Sequence, residues 1–179
     1  MKVTQTALPG VIIIDPKVHG DERGFFVETF QLERYRELVG ITSPLVQDNH
    51  SRSRRGVLRG LHMQKSRPQG KLVQVASGEV FDVAVDVAPK SPTFRRWVGT
   101  ILSDTNLRQL WIPPGYAHGF VVLSEFADYE YKCTEYYDPS TETGVIWNDP
   151  DLKIAWPCAN PTLSDKDRRL PTLAELTAA

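Results

Sequence analysis

Two of the four histidines lie in segments that suit chemistry at one site. His62 lies in Arg59–Gln64, and His118 follows Pro113–Ala117. An unperturbed imidazole has a pKa of about 6.5, so it can accept a proton near neutral pH. A structural hydrogen bond is the alternative for each of them. The sequence therefore predicts a proton-transfer site built around imidazole.

The elements that must position these side chains are mostly short strands. Val80–Val87 alternates, with Asp82 and Asp86 on one face, and Tyr129–Tyr137 places Tyr131 and Tyr137 on one face about 20 Å apart by strand rise. Such faces indicate a barrel lumen open to a ligand, and a solvated outer face is the alternative. Further strands are predicted over Val98–Leu102, Leu110–Ile112 and Gly119–Leu123.

Two helices are predicted as well. Spacing places Leu32, Tyr35, Leu38 and Val39 on one face of a helix over residues 31–39 that ends at Gly40. A second begins near Thr172, because Thr172 and Glu175 have the spacing of a capping box.

Composition narrows the class of protein. The chain has 179 residues, which corresponds to a single domain over 1–179, and a net charge of −1, which argues against a general affinity for nucleic acid or anionic membranes. No apolar run approaches the roughly 20 residues of a membrane span, and no signal peptide is apparent. Cys133 and Cys158 cannot form a disulfide framework. A cytoplasmic protein is expected.

The segment Pro113–Gly119 resembles the second motif of the cupin superfamily, Pro-x-Gly-x-x-His. Metal-binding cupins carry His-x-His in their first motif, whereas this chain has His62-Met63-Gln64 and no glutamate before Glu79. An amide is a poorer ligand than imidazole for a borderline divalent ion. We therefore expect a cupin barrel without a metal; a metal-dependent cupin using His62 and His118 is the alternative.

A wider set of segments resembles the dTDP-4-dehydrorhamnose 3,5-epimerase family. The resemblance implies a mainly β, cupin-type antiparallel β-barrel (jelly roll) with a few short helices. It also implies a homodimer that exchanges N-terminal strands, for which Val11–Ile14 is a plausible strand. The matching segments are Gly20–Glu28, Val46–Ser51, Gly56–His62, Gln69–Val73, Val80–Asp86, Gln109–Pro113, Ala117–Phe120, Tyr131–Lys132, Trp147–Pro150 and Leu163–Asp167.

The family's reaction inverts carbons 3 and 5 of a dTDP-linked 4-keto-6-deoxy sugar without a cofactor. The keto group acidifies the flanking hydrogens, so a base on one face of the ring and an acid on the other suffice. By resemblance, His62 is the base, Tyr131 the acid, Asp167 the partner of His62, and Lys71 the group near the enolate oxygen. The alternatives are a strand aromatic for Tyr131, a helix cap for Asp167 and a solvated loop lysine for Lys71.

The resemblance also implies a set of nucleotide-sugar contacts. Arg23 and Arg59 would hold the diphosphate, because guanidinium groups bind such oxygens in pairs. Tyr137 would stack on the base. Surface salt bridges are the alternative for Arg23 and Lys166, and a turn role for Glu142. The other expected contacts are Glu28, Gln47, Asp48, Asn49, Lys71, His118, Glu142 and Lys166.

Two rival functions remain open at this stage. A single-carbon epimerase or a ketoisomerase of a related deoxysugar pathway would share the barrel and the histidine. A nucleotide-sugar-binding cupin without catalytic activity would retain the binding residues alone.

Overall fold

Two facing antiparallel sheets form the framework of the computed structural model, which describes residues 1–178. The six-stranded sheet has the order β1-β2-β10-β7-β12-β5, the five-stranded sheet has the order β13-β6-β11-β8-β9, and β3 and β4 form a separate hairpin. The strands are β1 (Lys2–Gln5), β2 (Ile12–Asp15), β3 (Val18–Asp21), β4 (Gly24–Val27), β5 (Gln47–Arg54), β6 (Leu58–Gln64), β7 (Lys71–Ser77), β8 (Glu79–Asp86), β9 (Trp97–Ser103), β10 (Gln109–Ile112), β11 (Tyr116–Val122), β12 (Phe126–Cys133) and β13 (Glu142–Gly144). The mainly β, jelly-roll fold class is confirmed.

Strand β8 shows how the core is divided. Val80 and Ala84 point between the sheets, whereas Val83 and Val85 pack in a second apolar cluster on the outer side. Both faces of the strand are therefore buried, because apolar residues lie on each of them. Asp82 is fully buried and points inward, so its face belongs to the lumen and not to solvent.

Strand β12 is shorter than predicted. It ends at Cys133, and the chain then bends, so Tyr137 is not on the same strand as Tyr131 and the distance of about 20 Å by strand rise does not apply. Side-chain amides replace the ladder here: the Tyr137 N–H donates to Gln47 Oε1 and the Asp138 N–H to Gln64 Oε1. The alternation of residues in the sequence cannot show that side-chain amides replace the hydrogen bonds between strands.

The predicted helices are present as α1 (Leu32–Val39) and α3 (Leu173–Ala178), and a short α2 (Asp165–Arg168) was not predicted. Gly40 ends α1 in the left-handed conformation, with φ of 82°. Tyr35 and Val39 are buried, but Leu32 and Leu38 are exposed, so the predicted apolar face was too wide.

The capping box of α3 is also confirmed. Thr172 Oγ1 accepts a hydrogen bond from the Glu175 N–H, and the Thr172 N–H donates back to the Glu175 carboxylate.

The N-terminal region contributes one internal strand and one exposed hairpin. Strand β2 lies between β1 and β10 of its own sheet, so residues 12–14 of the predicted exchange strand Val11–Ile14 pair within the chain. Exchange of this strand between two copies stays a prediction. In the β3–β4 hairpin, Phe25 is 62% and Phe26 is 69% exposed. Within residues 1–178, no helix is long and apolar enough to cross a membrane.

Candidate active site

A cavity of about 350 Å³ opens between the two sheets. It is lined by polar and aromatic side chains from β5, β6, β7, β11, β12, β13 and α2, and from the loop residues Gln69 and Tyr137. Ten of the predicted site residues line it: Gln47, Asn49, Arg59, His62, Lys71, His118, Tyr131, Tyr137, Glu142 and Lys166.

Strand register brings the two histidines together. His62 on β6 pairs directly with His118 on β11, so their side chains share the inner face of the five-stranded sheet. Gly60 and Gly119 lie at the adjacent crossing, where a Cβ on Gly60 would come within 2.6 Å of the Gly119 Cα. Gly60 also has φ of +124°, which disfavours other residues. The two glycines let the strands approach closely.

The opposite wall of the cavity belongs to the six-stranded sheet. Lys71 begins β7, and Tyr131 lies on β12 two residues after Tyr129, so both tyrosines face inward. The Lys71 Nζ lies 6.0 Å from the centre of the Tyr131 ring. The structure therefore places His62 and Tyr131 on facing walls.

His62 is held by a carboxylate from α2. Its Nε2 lies 2.5 Å from Asp167 Oδ1, and the Ser164 hydroxyl donates to Asp167 Oδ2 at 2.8 Å. Burial acts to raise the pKa of Asp167, but the hydrogen bond and charge of His62 outweigh it, and the pKa is lowered. Ser164 also caps α2 by accepting the Asp167 N–H at 3.1 Å. Asp167 therefore contacts both His62 and the Ser164 cap of α2, and its role in the reaction stays a prediction.

His118 has a carboxylate of its own. Its Nε2 lies 3.0 and 3.1 Å from the two oxygens of Asp82, and the Tyr129 hydroxyl donates to Asp82 Oδ2 at 2.6 Å. Burial lowers the pKa of His118, and the charge of Asp82 opposes this. Burial also raises the pKa of Tyr129 well above its usual value, and Asp82 adds to the effect.

Burial also sets the protonation of the opposite wall. It lowers the pKa of Lys71, against the charges of Cys133, Glu142 and Asp82. It raises the pKa of Tyr131, so this hydroxyl keeps its proton at neutral pH. Tyr131 is thus equipped to donate a proton, and Lys71 to donate a hydrogen bond to a nearby oxygen.

Three side chains form a connected group at the cavity mouth. The Tyr137 hydroxyl donates to Glu142 at 2.5 Å, and Lys166 Nζ lies 2.8 Å from both Glu142 oxygens. The hydrogen bond to Glu142 raises the pKa of Tyr137 to about 12. Burial acts to raise the pKa of Glu142, but Lys166 and Tyr137 together lower it. Glu142 also approaches the free nitrogen of His62, with 4.0 Å between Oε1 and Nδ1.

Three predicted binding residues lie outside this cavity. Arg23 pairs with Asp21 on the exposed hairpin, and Glu28 pairs with Arg34 of α1. Asp48 points to the opposite face of β5 from Gln47 and Asn49, because strand residues alternate, and it accepts a hydrogen bond from Lys132 at 2.7 Å. The cavity of a single chain is thus built without these three side chains.

Known proteins share both the sequence and this architecture. The sequence model of the dTDP-4-dehydrorhamnose 3,5-epimerase family matches residues 5–175. The chain belongs to that family. A dTDP-4-dehydrorhamnose 3,5-epimerase from Salmonella typhimurium is 55% identical over 175 residues, which cover 97% of this chain and 96% of the relative. The family and the class of enzyme predicted from the sequence are confirmed.

Solved structures of the family extend the comparison to ligands. A dTDP-6-deoxy-D-glucose-3,5-epimerase from Legionella pneumophila, in complex with dTDP-4-keto-L-rhamnose, superposes with a TM-score of 0.96 at 55% identity and covers 99% of this chain and 95% of its own. A 3′-monoepimerase from Streptomyces bikiniensis, in complex with dTDP-quinovose, has a TM-score of 0.90 at 34% identity, with 97% and 88% covered. One fold therefore serves both double and single epimerases.

Three residues around the site histidines were not predicted as site residues. Asp82 contacts His118, Tyr129 donates to Asp82, and Ser164 donates to the Asp167 carboxylate that contacts His62. The signals were present: Asp82 shares the inward face of β8, Tyr129 lies one strand repeat before Tyr131, and Ser164 begins the capping box of Asp167.

The cavity does not offer the ligand set that a metal ion needs in the described residues. In the part of the chain that the structure describes, no three His, Cys, Asp or Glu side chains converge as ligands for a metal. Both imidazoles direct Nε2 at a carboxylate of their own. That the reaction needs no cofactor stays a prediction from the sequence.

Proposed function

We propose that the chain epimerises carbons 3 and 5 of dTDP-4-dehydro-6-deoxy-D-glucose, giving dTDP-4-dehydro-L-rhamnose. The observation that carries the proposal is the placement of His62 and Tyr131 on facing walls of one cavity. A sugar ring bound between the sheets meets a base on one face and an acid on the other. Removal of a proton from one face and delivery of a proton to the other inverts the carbon between them.

In each half of the reaction, His62 removes a proton from a carbon beside the ketone. Because Nε2 is bonded to Asp167, the reacting nitrogen is Nδ1, and the carboxylate stabilises the imidazolium that forms. The electrons of the broken C–H bond pass to the ketone oxygen, which becomes an enolate oxygen beside Lys71. Tyr131 then donates its proton to the opposite face of the carbon, and solvent restores both side chains.

The remaining cavity residues are proposed to hold the nucleotide and the sugar hydroxyls. Arg59 reaches the cavity from β6, with its Nε bonded to Ser53, and its outer nitrogens would bind the diphosphate. The half-exposed ring of Tyr137 at the mouth would stack on the base. Gln47 and Asn49 from β5 would read the polar edge of the base, and His118, Glu142 and Lys166 would complete the contacts.

We also propose a homodimer in which Arg23 and Glu28 act in the cavity of the partner. The β3–β4 hairpin exposes Phe25 and Phe26, an apolar surface that a second copy would cover. Strand β5 is the open edge of its sheet and also supplies the cavity residues Gln47 and Asn49, so a hairpin laid along it would reach the cavity.

Subunit mixing tests this dimer. Arg23→Ala and His62→Asn homodimers should each have low activity, and mixing them after mild dissociation should restore up to about a quarter of the wild-type activity, because half of the dimers then contain one intact site in two. A monomeric protein in light scattering, or no recovery on mixing, would contradict the shared site.

The reaction itself is tested by incubation with the keto sugar in heavy water, followed by NMR. Deuterium should appear at both carbons 3 and 5 with the wild type and at neither with His62→Asn. The Streptomyces relative, a 3′-monoepimerase on the same fold, makes a single-carbon reaction the second candidate. Deuterium at only one carbon would select it, and binding of dTDP without any exchange would indicate a binding protein.

A further inference from the structure

Tyr129 is a buried titratable group that the mechanism above does not use. It is 1% exposed, and its ring stacks on Phe120 with 4.0 Å between the ring centres. Its hydroxyl lies 2.6 Å from Asp82 Oδ2 and 3.2 Å from His118 Nε2. A structural tyrosine needs only one such partner, whereas this one lies at the junction of an imidazole and its carboxylate.

These contacts define which nitrogen of His118 carries the proton. A carboxylate only accepts hydrogen bonds, and Asp82 receives one from Tyr129, so the Nε2 that faces both its oxygens must also be a donor. In neutral imidazole the other nitrogen, Nδ1, is then an acceptor. Nδ1 makes no hydrogen bond to the chain. Because every buried side-chain nitrogen or oxygen within residues 1–178 has a partner, Nδ1 is not buried and borders the cavity.

The charges around His118 show what the hydroxyl does. Strand β8 supplies Asp82, β12 supplies Tyr129, β7 supplies Lys71 and β6 supplies His62 with Arg59 beyond it. Burial together with Lys71 and His62 lowers the pKa of His118, and only Asp82 raises it. A hydroxyl that donates to Asp82 withdraws part of its negative charge, so the carboxylate stabilises an imidazolium less well.

We propose that Tyr129 is a positioning residue, which acts through Asp82 to hold His118 neutral, with the Nδ1 lone pair directed into the cavity. The inference rests on the proposed function, because the lone pair then accepts a hydrogen bond from a hydroxyl of the bound sugar. A protonated His118 would offer a donor there and place a second positive charge near that of Lys71.

The test compares Tyr129→Phe with the matched control Tyr35→Phe. Both variants remove one hydroxyl from a buried tyrosine, but that of Tyr35 lies 2.6 Å from Gln109 Oε1 and 2.9 Å from the Thr29 carbonyl oxygen, away from the cavity. For Tyr129→Phe, the acid limb of the pH profile of kcat/KM should move to higher pH. We expect about a tenfold loss near pH 6 and less than about a twofold loss near pH 8. Tyr35→Phe should keep the wild-type profile.

A second measurement does not depend on turnover, and the tautomer of His118 in the wild type does not require Tyr129→Phe to fold. Nitrogen NMR of ¹⁵N-histidine-labelled wild type has only four imidazoles to resolve, and His118→Asn assigns the relevant signals. His118 should be the neutral Nε2–H tautomer at pH 7, and its protonation should move to higher pH in Tyr129→Phe alone.

The outcomes separate the two proposals. Absence of exchange by the wild type in heavy water would overturn the proposed function and leave the NMR result standing. An Nδ1–H tautomer or a protonated His118 in the wild type at pH 7 would overturn the role of Tyr129. So would a Tyr129→Phe profile that matches that of Tyr35→Phe.

Discussion

The cavity contains two sets of side chains with the same order of groups, a hydroxyl, a carboxylate and an imidazole. We call Ser164–Asp167–His62 the outer set and Tyr129–Asp82–His118 the inner set. In both, the carboxylate uses one oxygen for the hydroxyl and contacts the imidazole at Nε2. The sets differ in burial: the His62 side chain is 22% exposed, whereas that of His118 is 7% exposed and Asp82 is fully buried.

This difference in burial suits the two sets to different purposes. A base must exchange its proton with solvent in every turnover. The outer set has access to solvent, because its carboxylate lies on a short helix at the cavity rim. The inner set comes entirely from strands β8, β11 and β12, which hold it rigidly away from water. A rigid, desolvated imidazole suits a hydrogen bond of fixed direction better than repeated proton transfer.

The largest expected effect separates the two imidazoles. His62→Asn removes the base and should lower kcat by about 10²- to 10⁴-fold, while the affinity for dTDP changes little. His118→Asn should raise KM and lower kcat by about tenfold at most, because it removes a hydrogen bond to substrate. Steady-state kinetics and dTDP titration measure both. Equal losses of kcat in the two variants would abolish the distinction between the sets.

The second prediction tests the carboxylate of the outer set by its pH dependence. Asp167→Asn should lower kcat by about 10²-fold, because the imidazolium loses its counter-charge. Since the folded pKa of Asp167 is lowered, its ionised form stabilises the fold above the unfolded pKa of about 3.9. The stability difference from wild type should be complete near pH 7 and disappear as the pH falls through the folded pKa.

Thermal unfolding of wild type and Asp167→Asn at pH 7 and at about pH 3 measures that difference. A gap in Tm that stays the same at both values would mean that the charge of Asp167 has no effect on folding.

A smaller effect is expected for the hydroxyl of the outer set. Ser164→Ala removes the donor to Asp167 and the cap of α2, so the free energy of unfolding should fall by about 1 kcal/mol and kcat by a few-fold. Ser164→Thr keeps a hydroxyl and serves as the control. Chemical denaturation and kinetics report the two effects, and an unchanged kcat in Ser164→Ala would limit its role to the helix cap.

The smallest effect is expected at the mouth, where Glu142 contacts the outer set alone. Tyr137→Phe removes the hydrogen bond to Glu142 but keeps the ring, so kcat and dTDP affinity should change by less than about twofold. Because the pKa of Tyr137 is about 12, its hydroxyl does not ionise below about pH 10, and the alkaline limb of the profile should stay in place. A shifted alkaline limb would implicate this hydroxyl in the chemistry.

Much of this arrangement could be predicted from the sequence. Period-two alternation identified β8 and the last part of β12, and β9, β10 and β11 were predicted as further short strands. The segments shared with the family identified ten of the side chains that line the cavity. The features that were not predicted depend on contacts between residues far apart in the sequence. The amides of Gln47 and Gln64, which bond to the chain just after β12 ends, belong to distant strands. The pairing of Asp82 with His118 likewise depends on strand register, which one sequence does not contain.

The Gly60–Gly119 crossing has a consequence for the evolution of new substrate preferences. Any side chain at either position would force β6 and β11 apart and displace both imidazoles at once. Single substitutions at these two positions are therefore not tolerated. Strand β5 and residues 134–141 carry no such restriction, because β5 is an edge strand of its sheet and residues 134–141 form the bend between β12 and β13. A selection for activity on altered nucleotide sugars should therefore accumulate substitutions there and leave the glycine crossing unchanged.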